Sequence, residues 1–589
     1  MGLFYPFLTA FLIAAAATPL MIAVARRMGW MVEPRDDRWH KRPTAVFGGV
    51  AIYLAYIISF LFAGPRLTAY WVLIGGASAI FGLGLLDDAR ELKPQVKFLA
   101  QLLVAIVTVS QGVSLDREVI PWPWVSIPLA VLWLVGITNA VNILDNMDGL
   151  ASGVVLVAST ALAVGSVLSG SFGIGHLCAM LAGAALGFFL YNFNPARIFM
   201  GDCGSMFLGF TLAGLTILST NTAAVASQLT MAVLVPLGAL VVPIFDTSLV
   251  SFERTTHGRS IAQGGRDHSS HRLVFLGLSE RKAVIFLLLI SAGGGFCSIL
   301  LTRLANPLTA AVVVAVFLVL LVFFGVYLGE VKVYDAAERR PRKSPILDRV
   351  ILHKKQILQI SADLVLLSAA FTAAWLLRYE GSLPPLEVQR LAQSLPWLLA
   401  AKMGSFWLFG LYRGEWRYIS IYDLVQILKA CTVGSLVTVF ILILFYRFQW
   451  YSRAVMVIDF FLAFMFVAGA RCLIRVFREK VRGERGLPVL IFGAGDGGEL
   501  LLRELRNNPL LPYVPVGFVD DDTAKKGRVI HGITVLGTRK DLSALIARHR
   551  IERVFISILS SQDDSFPDVF EICRKCEIEC TRIQPLIKL

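Results

Sequence analysis

Two adjacent carboxylates, Asp87 and Asp88, stand in the segment Leu85-Leu86-Asp87-Asp88-Ala89-Arg90-Glu91-Leu92-Lys93, directly after an apolar run. A second polar segment reads Asn139-Ala140-Val141-Asn142-Ile143-Leu144-Asp145-Asn146-Met147-Asp148-Gly149. A third reads Asn192-Phe193-Asn194-Pro195-Ala196-Arg197-Ile198-Phe199-Met200-Gly201-Asp202-Cys203-Gly204-Ser205. A fourth, between Ser251 and Lys282, contains Asp267-His268-Ser269-Ser270-His271-Arg272. Carboxylates gathered at the edge of apolar segments need a positive partner, because an unpaired ion there is costly. A divalent cation is the natural one, and oxygen donors of this kind suit magnesium, which keeps waters and bridges to phosphate. Any one of these aspartates is explained as a solvated loop acid. An adjacent pair together with two further Asp-bearing motifs points instead to a site. Two neighbouring acids hold two free charges with difficulty unless a cation compensates, which makes the pair a candidate for proton transfer.

The elements that must position these segments are legible in the hydropathy. The chain has 589 residues, 56% of them hydrophobic, and a mean hydropathy of +0.69. A single soluble core does not hide that much apolar surface. Apolar runs of membrane-span length recur, so a bilayer is the solvent for most of the chain. About eleven spans are expected first, near 3–25, 45–63, 67–86, 98–113, 125–141, 151–169, 174–191, 205–219, 229–250, 283–303 and 307–328. A polar, basic linker follows over 331–355, with Arg339, Arg340, Arg342 and Lys343. About four more spans follow, near 356–377, 395–411, 424–446 and 454–474. The start, Met1 to Ala25, lacks a basic leader and a small-residue cleavage site, and reads as a retained helix.

The formal net charge is +14. In a soluble protein that would suggest nucleic acid. Here the basic residues sit in short loops beside apolar spans and read as topology determinants facing anionic lipid. Alternating the spans puts Arg26, Arg27, Arg35, Arg38, Lys41, Arg90, Lys93, Lys97, Arg254, Arg259 and the basic linker on one side. The other side holds scattered charges such as Arg66, Arg117, Arg303 and Arg378. The first side is expected to be cytoplasmic, the N-terminus extracytoplasmic. All four polar segments then share the cytoplasmic face.

On these motifs, residues 1–330 resemble the polyprenyl-phosphate N-acetylhexosamine-1-phosphate transferase family, which includes the bacterial undecaprenyl-phosphate GlcNAc-1-phosphate transferases. The resemblance rests on the span count, the Asp87-Asp88 pair, the Asn-x-x-Asn-x-x-Asp-x-x-Asp-Gly motif and Phe199-Met200-Gly201-Asp202-x-Gly204-Ser205. It implies transfer of a sugar-1-phosphate from a UDP-N-acetylhexosamine to undecaprenyl phosphate, with release of UMP. It implies magnesium, or manganese in its place, on Asp202, Asp87 and Asp88. Asp202 looks like the principal ligand and the Asp87-Asp88 pair the source of a base toward the lipid phosphate. Asn139, Asn142, Asp145 and Asp148 lie where the family holds the nucleotide end of the donor, and Phe199 matches an aromatic that packs on the uracil. Lys41, Lys93 and Lys97 are phosphate contacts by the same resemblance, and His268 and His271 contacts to the diphosphate or sugar. The sequence departs from the pattern at three places. Glu91 stands where relatives often carry Asp, Asn146 replaces a common Gly, and Ser270 stands where a His-x-His-His pattern has its middle imidazole.

The end of the chain has another character. Pro488-Val489-Leu490-Ile491-Phe492 leads into Gly493-x-Gly495-x-x-Gly498, then a helical stretch, then a strand, Val514 to Val519, ending at Asp520. Strand, glycine turn, helix, strand and acid is the order of a dinucleotide-type fold, whose glycines let backbone amides approach a phosphate. NAD or another nucleotide is the candidate ligand there, and a purely structural α/β module is the alternative. With the preceding four spans, this region resembles the N-terminal part of membrane-bound nucleotide-sugar dehydratases. No Tyr-x-x-x-Lys pair with a second glycine motif follows, so an accessory module is expected rather than a dehydratase. Cys573, Cys576 and Cys580 cluster without a neighbouring fourth ligand, and read as a helix running into a strand rather than a metal site.

The expected architecture is thus a polytopic α-helical membrane protein of about 11 + 4 transmembrane helices with a C-terminal cytoplasmic α/β Rossmann-like domain. Its expected parts are 1–330, the linker 331–355, a four-helix segment 356–480 and the domain 486–589. Membrane lipid is a partner, nucleic acid is not, and a homodimer is left open. The competing functions are an NAD-dependent UDP-sugar dehydratase or epimerase, a non-catalytic glycan-assembly scaffold and a transporter. A transporter would hold its ionisable groups near the bilayer midplane rather than at one interface.

Overall fold

The computed structural model describes residues 2–33, 43–65, 67–115, 120–220, 228–256, 259, 265, 267–303, 307–329, 331, 345–381, 383–412, 421–447, 451–482, 486–507, 511, 513–557 and 566–583. It divides into two compact units, Met1–Arg475 and Val476–Leu589.

The first unit is helical. It comprises α1 (Phe4–Met28), a short antiparallel pair β1 (Met31–Val32) and β2 (Thr44–Ala45), then α2 (Gly49–Ala63), α3 (Thr68–Arg90), α4 (Pro94–Ser110), α5 (Pro123–Leu144), α6 (Leu150–Leu168), α7 (Phe172–Asn192) and α8 (Gly201–Thr220). Next come α9 (Gln228–Ala239), α10 (Val241–Thr256), α11 (Ser269–Phe275), α12 (Glu280–Arg303) and α13 (Pro307–Gly329). The remaining helices are α14 (Pro345–Arg378), α15 (Pro385–Leu408), α16 (Ile421–Tyr446) and α17 (Arg453–Arg482). Prolines open α4, α5 and α15 at their first turns, where a missing N–H costs nothing. Among the described residues, ten helices are long and apolar enough to cross a membrane, and the shorter apolar helices include α2 and α4. The chain is a multi-pass membrane protein with a C-terminal α/β region.

Two expectations about the elements change. The single span expected over 229–250 is broken at Leu240 into α9 and α10. Pro243 explains the break: it offers no N–H to Ala239, and its ring crowds that carbonyl. The stretch expected as linker becomes helical at Pro345, so α14 starts well before the apolar run it carries.

α8 lies at the centre of the transferase-like part, buried along almost its whole length and packed on α3 and α5. It contributes Phe207 and Phe210 to the core, both buried, with Phe207 edge-on to Tyr53 of α2 at a 5.3 Å centroid distance.

The second unit is a sheet with helices. Its elements are β3 (Leu487–Phe492), α18 (Asp496–Asn507), β4 (Tyr513–Val519), β5 (Val529–Ile530), β6 (Ile533–Gly537), α19 (Leu542–His549), β7 (Arg553–Ile556), α20 (Pro567–Lys575) and β8 (Glu579–Arg582). The strand order is β5-β6-β4-β3-β7-β8. All neighbours pair in parallel except β5 with β6. The chain therefore reverses its direction of travel across the sheet between β3 and β7, as in doubly wound sheets.

Candidate active site

The site is built on the first turn of α8. Gly201 enters it with φ +75°, a left-handed conformation, and a Cβ there would lie 2.7 Å from Asp88 Oδ2. The helix's leading amides lack intrahelical acceptors. Asp88 supplies one: its Oδ1 accepts from the Asp202 amide at 2.8 Å and its Oδ2 from the Cys203 amide at 3.0 Å. A carboxylate at a helix N-terminus is also favoured by the helix dipole. Gly84, one turn earlier on α3, permits this approach, since a Cβ there would lie 2.6 Å from the Asp202 carbonyl oxygen.

The Asp202 side chain is held from two sides. Its Oδ1 accepts from Asn142 Nδ2 at 2.8 Å, and the same amide nitrogen reaches Ser205 Oγ at 2.8 Å. Its Oδ2 accepts from Lys97 Nζ. Lys97 also pairs with Asp87 Oδ2 at 2.9 Å, while Asp87 Oδ1 accepts from the Leu92 amide at 2.7 Å. Glu91, at φ +48°, caps α3 in the left-handed region and turns the chain so that Leu92 can make this bond. Asn139, one turn before Asn142, instead donates to Gln101 Oε1 at 2.8 Å and faces α4.

The turn from α5 to α6 carries the other acids. Asp148 Oδ2 accepts from the Ala196 amide at 2.8 Å. Asn192, buried, accepts from the Gly149 amide at 3.1 Å and from Ser152 Oγ at 2.9 Å, and donates to the Ile198 carbonyl at 3.0 Å. Asp145 is half-buried and its side chain makes no hydrogen bond among the described residues. Burial, then the nearby Asp202, Asp148 and Asp88 carboxylates, push it up to about 7 from 3.8. The sign follows directly. Folding raises this acid's affinity for a proton, so its contribution to stability is present below pH 4 and is lost as pH rises toward 7. Thermal unfolding of cation-free protein should therefore show Asp145→Asn gaining on the wild type from about pH 4 to pH 7 and levelling off above. A constant difference across that range would remove the assigned burial of charge.

Phe199 is half-buried, its amide bound to the Ala45 carbonyl at 2.8 Å and its carbonyl to the Gly48 amide at 2.9 Å. The two histidines lie on α11 and at its N-cap, both buried. His268 Nδ1 lies 2.8 Å from Asp246 Oδ2, and Asp246 Oδ1 accepts from the Ser269 amide at 2.7 Å and from Ser269 Oγ at 2.6 Å. Arg254 grips Asp267 through two bonds of 2.7 Å. Arg272 is buried and donates to the carbonyls of Asp267 and Leu328, each at 2.8 Å. Lys41 lies outside the described residues. The structure thus brings Asp87, Asp88, Lys97, Asn142 and Asp202 into one network, with Asp145 and Asp148 on the adjoining turn.

Sequence reasoning missed Asp246, Ser205 and Gln101. Asp246 had a signal, an ionisable residue inside a long apolar run. Ser205 closes the motif that carries Asp202, though its bond to Asn142 was not foreseen; Gln101 is a polar residue within a helix, and nothing marks it before the helices pack. Among the described residues, no three His, Cys, Asp or Glu side chains converge closely enough to enclose a metal ion.

In the second unit, Gly493 has φ +107°, and a Cβ on Gly498 would collide with the Gly493 carbonyl. Asp520, at the end of β4, accepts from the Ala494 amide at 2.7 Å, the Asp522 amide at 2.9 Å and Lys525 Nζ at 3.0 Å. Burial works against its charge, but the Asp522 and Ala494 amides and Lys525 outweigh it and hold the carboxyl below its usual range. Arg539 is fixed to Asp521 at 2.7 Å, over the rings of Phe492 and Phe566.

The site is an acid-rich helix terminus backed by lysine, on a polytopic helical scaffold, and the known proteins that this chain resembles say what class of protein carries it. The family described as glycosyl transferase family 4 matches residues 70–220, and one described as a CoA-binding domain matches residues 408–580. A probable undecaprenyl-phosphate N-acetylglucosaminyl 1-phosphate transferase of Bacillus subtilis is 36% identical over 295 residues, 48% of this chain and 80% of that protein. A decaprenyl-phosphate N-acetylglucosaminephosphotransferase of Mycolicibacterium smegmatis is 34% identical over 355 residues, 53% of this chain and 87% of that protein. A solved structure, UDP-D-quinovosamine 4-dehydrogenase from Vibrio fischeri, is 32% identical, covering 17% of this chain and 80% of its own, with a TM-score of 0.16. The chain belongs to the glycosyl transferase family 4 of polyprenyl-phosphate sugar-1-phosphate transferases.

Proposed function

We propose that this chain transfers N-acetylhexosamine-1-phosphate from a UDP-sugar to undecaprenyl or another polyprenyl phosphate, releasing UMP and initiating a cell-envelope polysaccharide. The relatives act, by their names, on an N-acetylglucosamine phosphate and a polyprenyl phosphate. The observation that carries the reading is Asp202, pinned at a helix N-terminus by Asp88 and joined through Lys97 to Asp87.

The donor set suits magnesium or manganese. Both oxygens of Asp88 accept from backbone amides, and Asp87 is engaged by Leu92 and Lys97. Asp202, whose oxygens are held by the Asn142 and Lys97 side chains, and Asp145, whose side chain makes no hydrogen bond among the described residues, are the acids that would hold a cation. Two carboxylates with waters and substrate phosphate oxygens are how magnesium is usually held. When bound, the ion neutralises charge developing on the transferred phosphoryl group.

The chain's own residues do the rest. Asn142 orients Asp202, and Asp88 fixes the backbone beneath it. Lys97 balances Asp87 and Asp202 and lies within reach of a phosphate between them. Asp87 takes the proton from a protonated lipid phosphate as it attacks. Attack is direct; exchange of labelled UMP into UDP-sugar without lipid would instead require an aspartyl-phosphate. Asp148, Phe199, His268 and His271 surround the nucleotide and diphosphate end, while Asn139 is turned to Gln101 and supports α5 against α4. The site faces the cytoplasm, as the basic loops on its side require, and the N-terminus lies outside. The residues from 486 onward are a cytoplasmic accessory module with a nucleotide-type glycine turn. At Asp520 a cofactor ribose would have to displace bonds already made.

The test is UMP release and lipid-linked product from detergent-purified protein supplied with undecaprenyl phosphate, magnesium and a panel of UDP-N-acetylhexosamines. Cation-dependent product from one donor supports the reading. Folded protein that makes none, beside a working relative, overturns it.

A further inference from the structure

Two of the three departures from the family pattern touch each other. Ser270 Oγ donates to Asn146 Oδ1 at 2.7 Å, joining residues 124 positions apart. Ser270 is fully buried, so its one hydroxyl proton needs an acceptor. Asn146 supplies it, and its Nδ2 donates to the Ile143 carbonyl at 3.1 Å, which sets the orientation of the amide.

We propose that Asn146 and Ser270 are a coupled positioning pair that sets how tightly the sugar-nucleotide donor is held. The inference rests on the transferase reading above. The pair joins two segments that are each clamped elsewhere. The turn carrying Asp145 is tied down by Asp148 to the Ala196 amide and by Gly149 to Asn192. The segment carrying His268 and His271 is tied down by Asp246, by the Arg254–Asp267 pair and by Arg272. The Ser270–Asn146 bond fixes the one against the other. It therefore sets the separation between Asp145 and the histidines, the span that a diphosphate-linked sugar must bridge.

The residue types belong together. Glycine at 146 beside Ser270 would leave a buried hydroxyl without its acceptor. A side chain without a donor at 270 would leave the half-buried Asn146 carbonyl without its partner from the histidine segment. Either single change breaks the same bond, so the second change has little left to remove. The pair touches neither Asp202 nor Lys97, so loosening it should weaken donor binding more than it slows the chemical step.

The experiment measures donor KM and kcat for wild type, Ser270→Ala, Asn146→Gly and the double variant, with lipid acceptor saturating. Each single variant should raise donor KM about five-fold, the worth of one hydrogen bond, and change kcat less than about two-fold. The double variant should match the singles rather than multiply them. Multiplying effects, or singles with unchanged donor KM, overturn the pair while leaving the transferase reading intact. A loss confined to kcat also overturns it. A wild type that transfers nothing from any UDP-N-acetylhexosamine overturns the transferase reading, and this proposal with it.

Discussion

Asp202→Asn should abolish transfer, lowering kcat by at least about a thousand-fold, while the protein remains folded. The substitution keeps the shape and an acceptor for Asn142 Nδ2, whose bond to Asp202 is 2.8 Å. It removes the negative charge that Lys97 and a divalent cation share. The backbone beneath is held by Asp88 through amides that the substitution does not touch. The variant should therefore unfold thermally near the wild type, yet fail to make lipid-linked product at any magnesium concentration. Activity within about ten-fold of wild type would remove Asp202 from the reaction and shift attention to Asp145.

The second large effect is expected far from this site. Lys402 on α15 and Asp459 on α17 form an ion pair of 2.5 Å, with both side chains buried. The other oxygen of Asp459 has no hydrogen-bond partner. Gly434 lets α16 approach α15 closely here, since a Cβ on it would lie 2.9 Å from Lys402 Cα. A second pair, Arg471 to Asp363 at 2.7 Å, joins α17 to α14. Lys402→Met should destabilise this four-helix part by about 3–5 kcal/mol, because it leaves a buried carboxylate uncompensated. Lys402→Met with Asp459→Leu should recover most of the loss, since the desolvation cost of both ions goes with them. Denaturation in mild detergent, followed by a probe within residues 356–480, separates the two variants. A double variant as unstable as the single would show that the pair itself, and not the orphaned charge, holds α15 to α17.

Much of the site was legible in residue types. Asp87, Asp88, Asn142, Asp145, Asp148 and Asp202 stand out because acids and amides at the ends of apolar runs need a reason to be there. Their division of labour was not legible. Asp87 and Asp88 look equivalent as neighbours, but on a helix neighbours point about 100° apart. One meets Lys97 and the other meets the start of α8. Asp246 stood out inside an apolar run, but its pairing with His268 did not, because the two are 22 positions apart and across a helix end.

By itself the sequence determined that the chain crosses a membrane many times, where the polar segments fall, and that an α/β module follows the spans. Those properties follow from local hydropathy, spacing and turn chemistry, which act over a few residues. Only the tertiary structure decided which carboxylate holds backbone, which faces a lysine and which is left without a hydrogen bond. It also decided that Asn146 and Ser270, each a departure on its own, meet as one bond. Side-chain partnership depends on helices brought together from distant parts of the chain, and no local pattern encodes a contact across 124 residues.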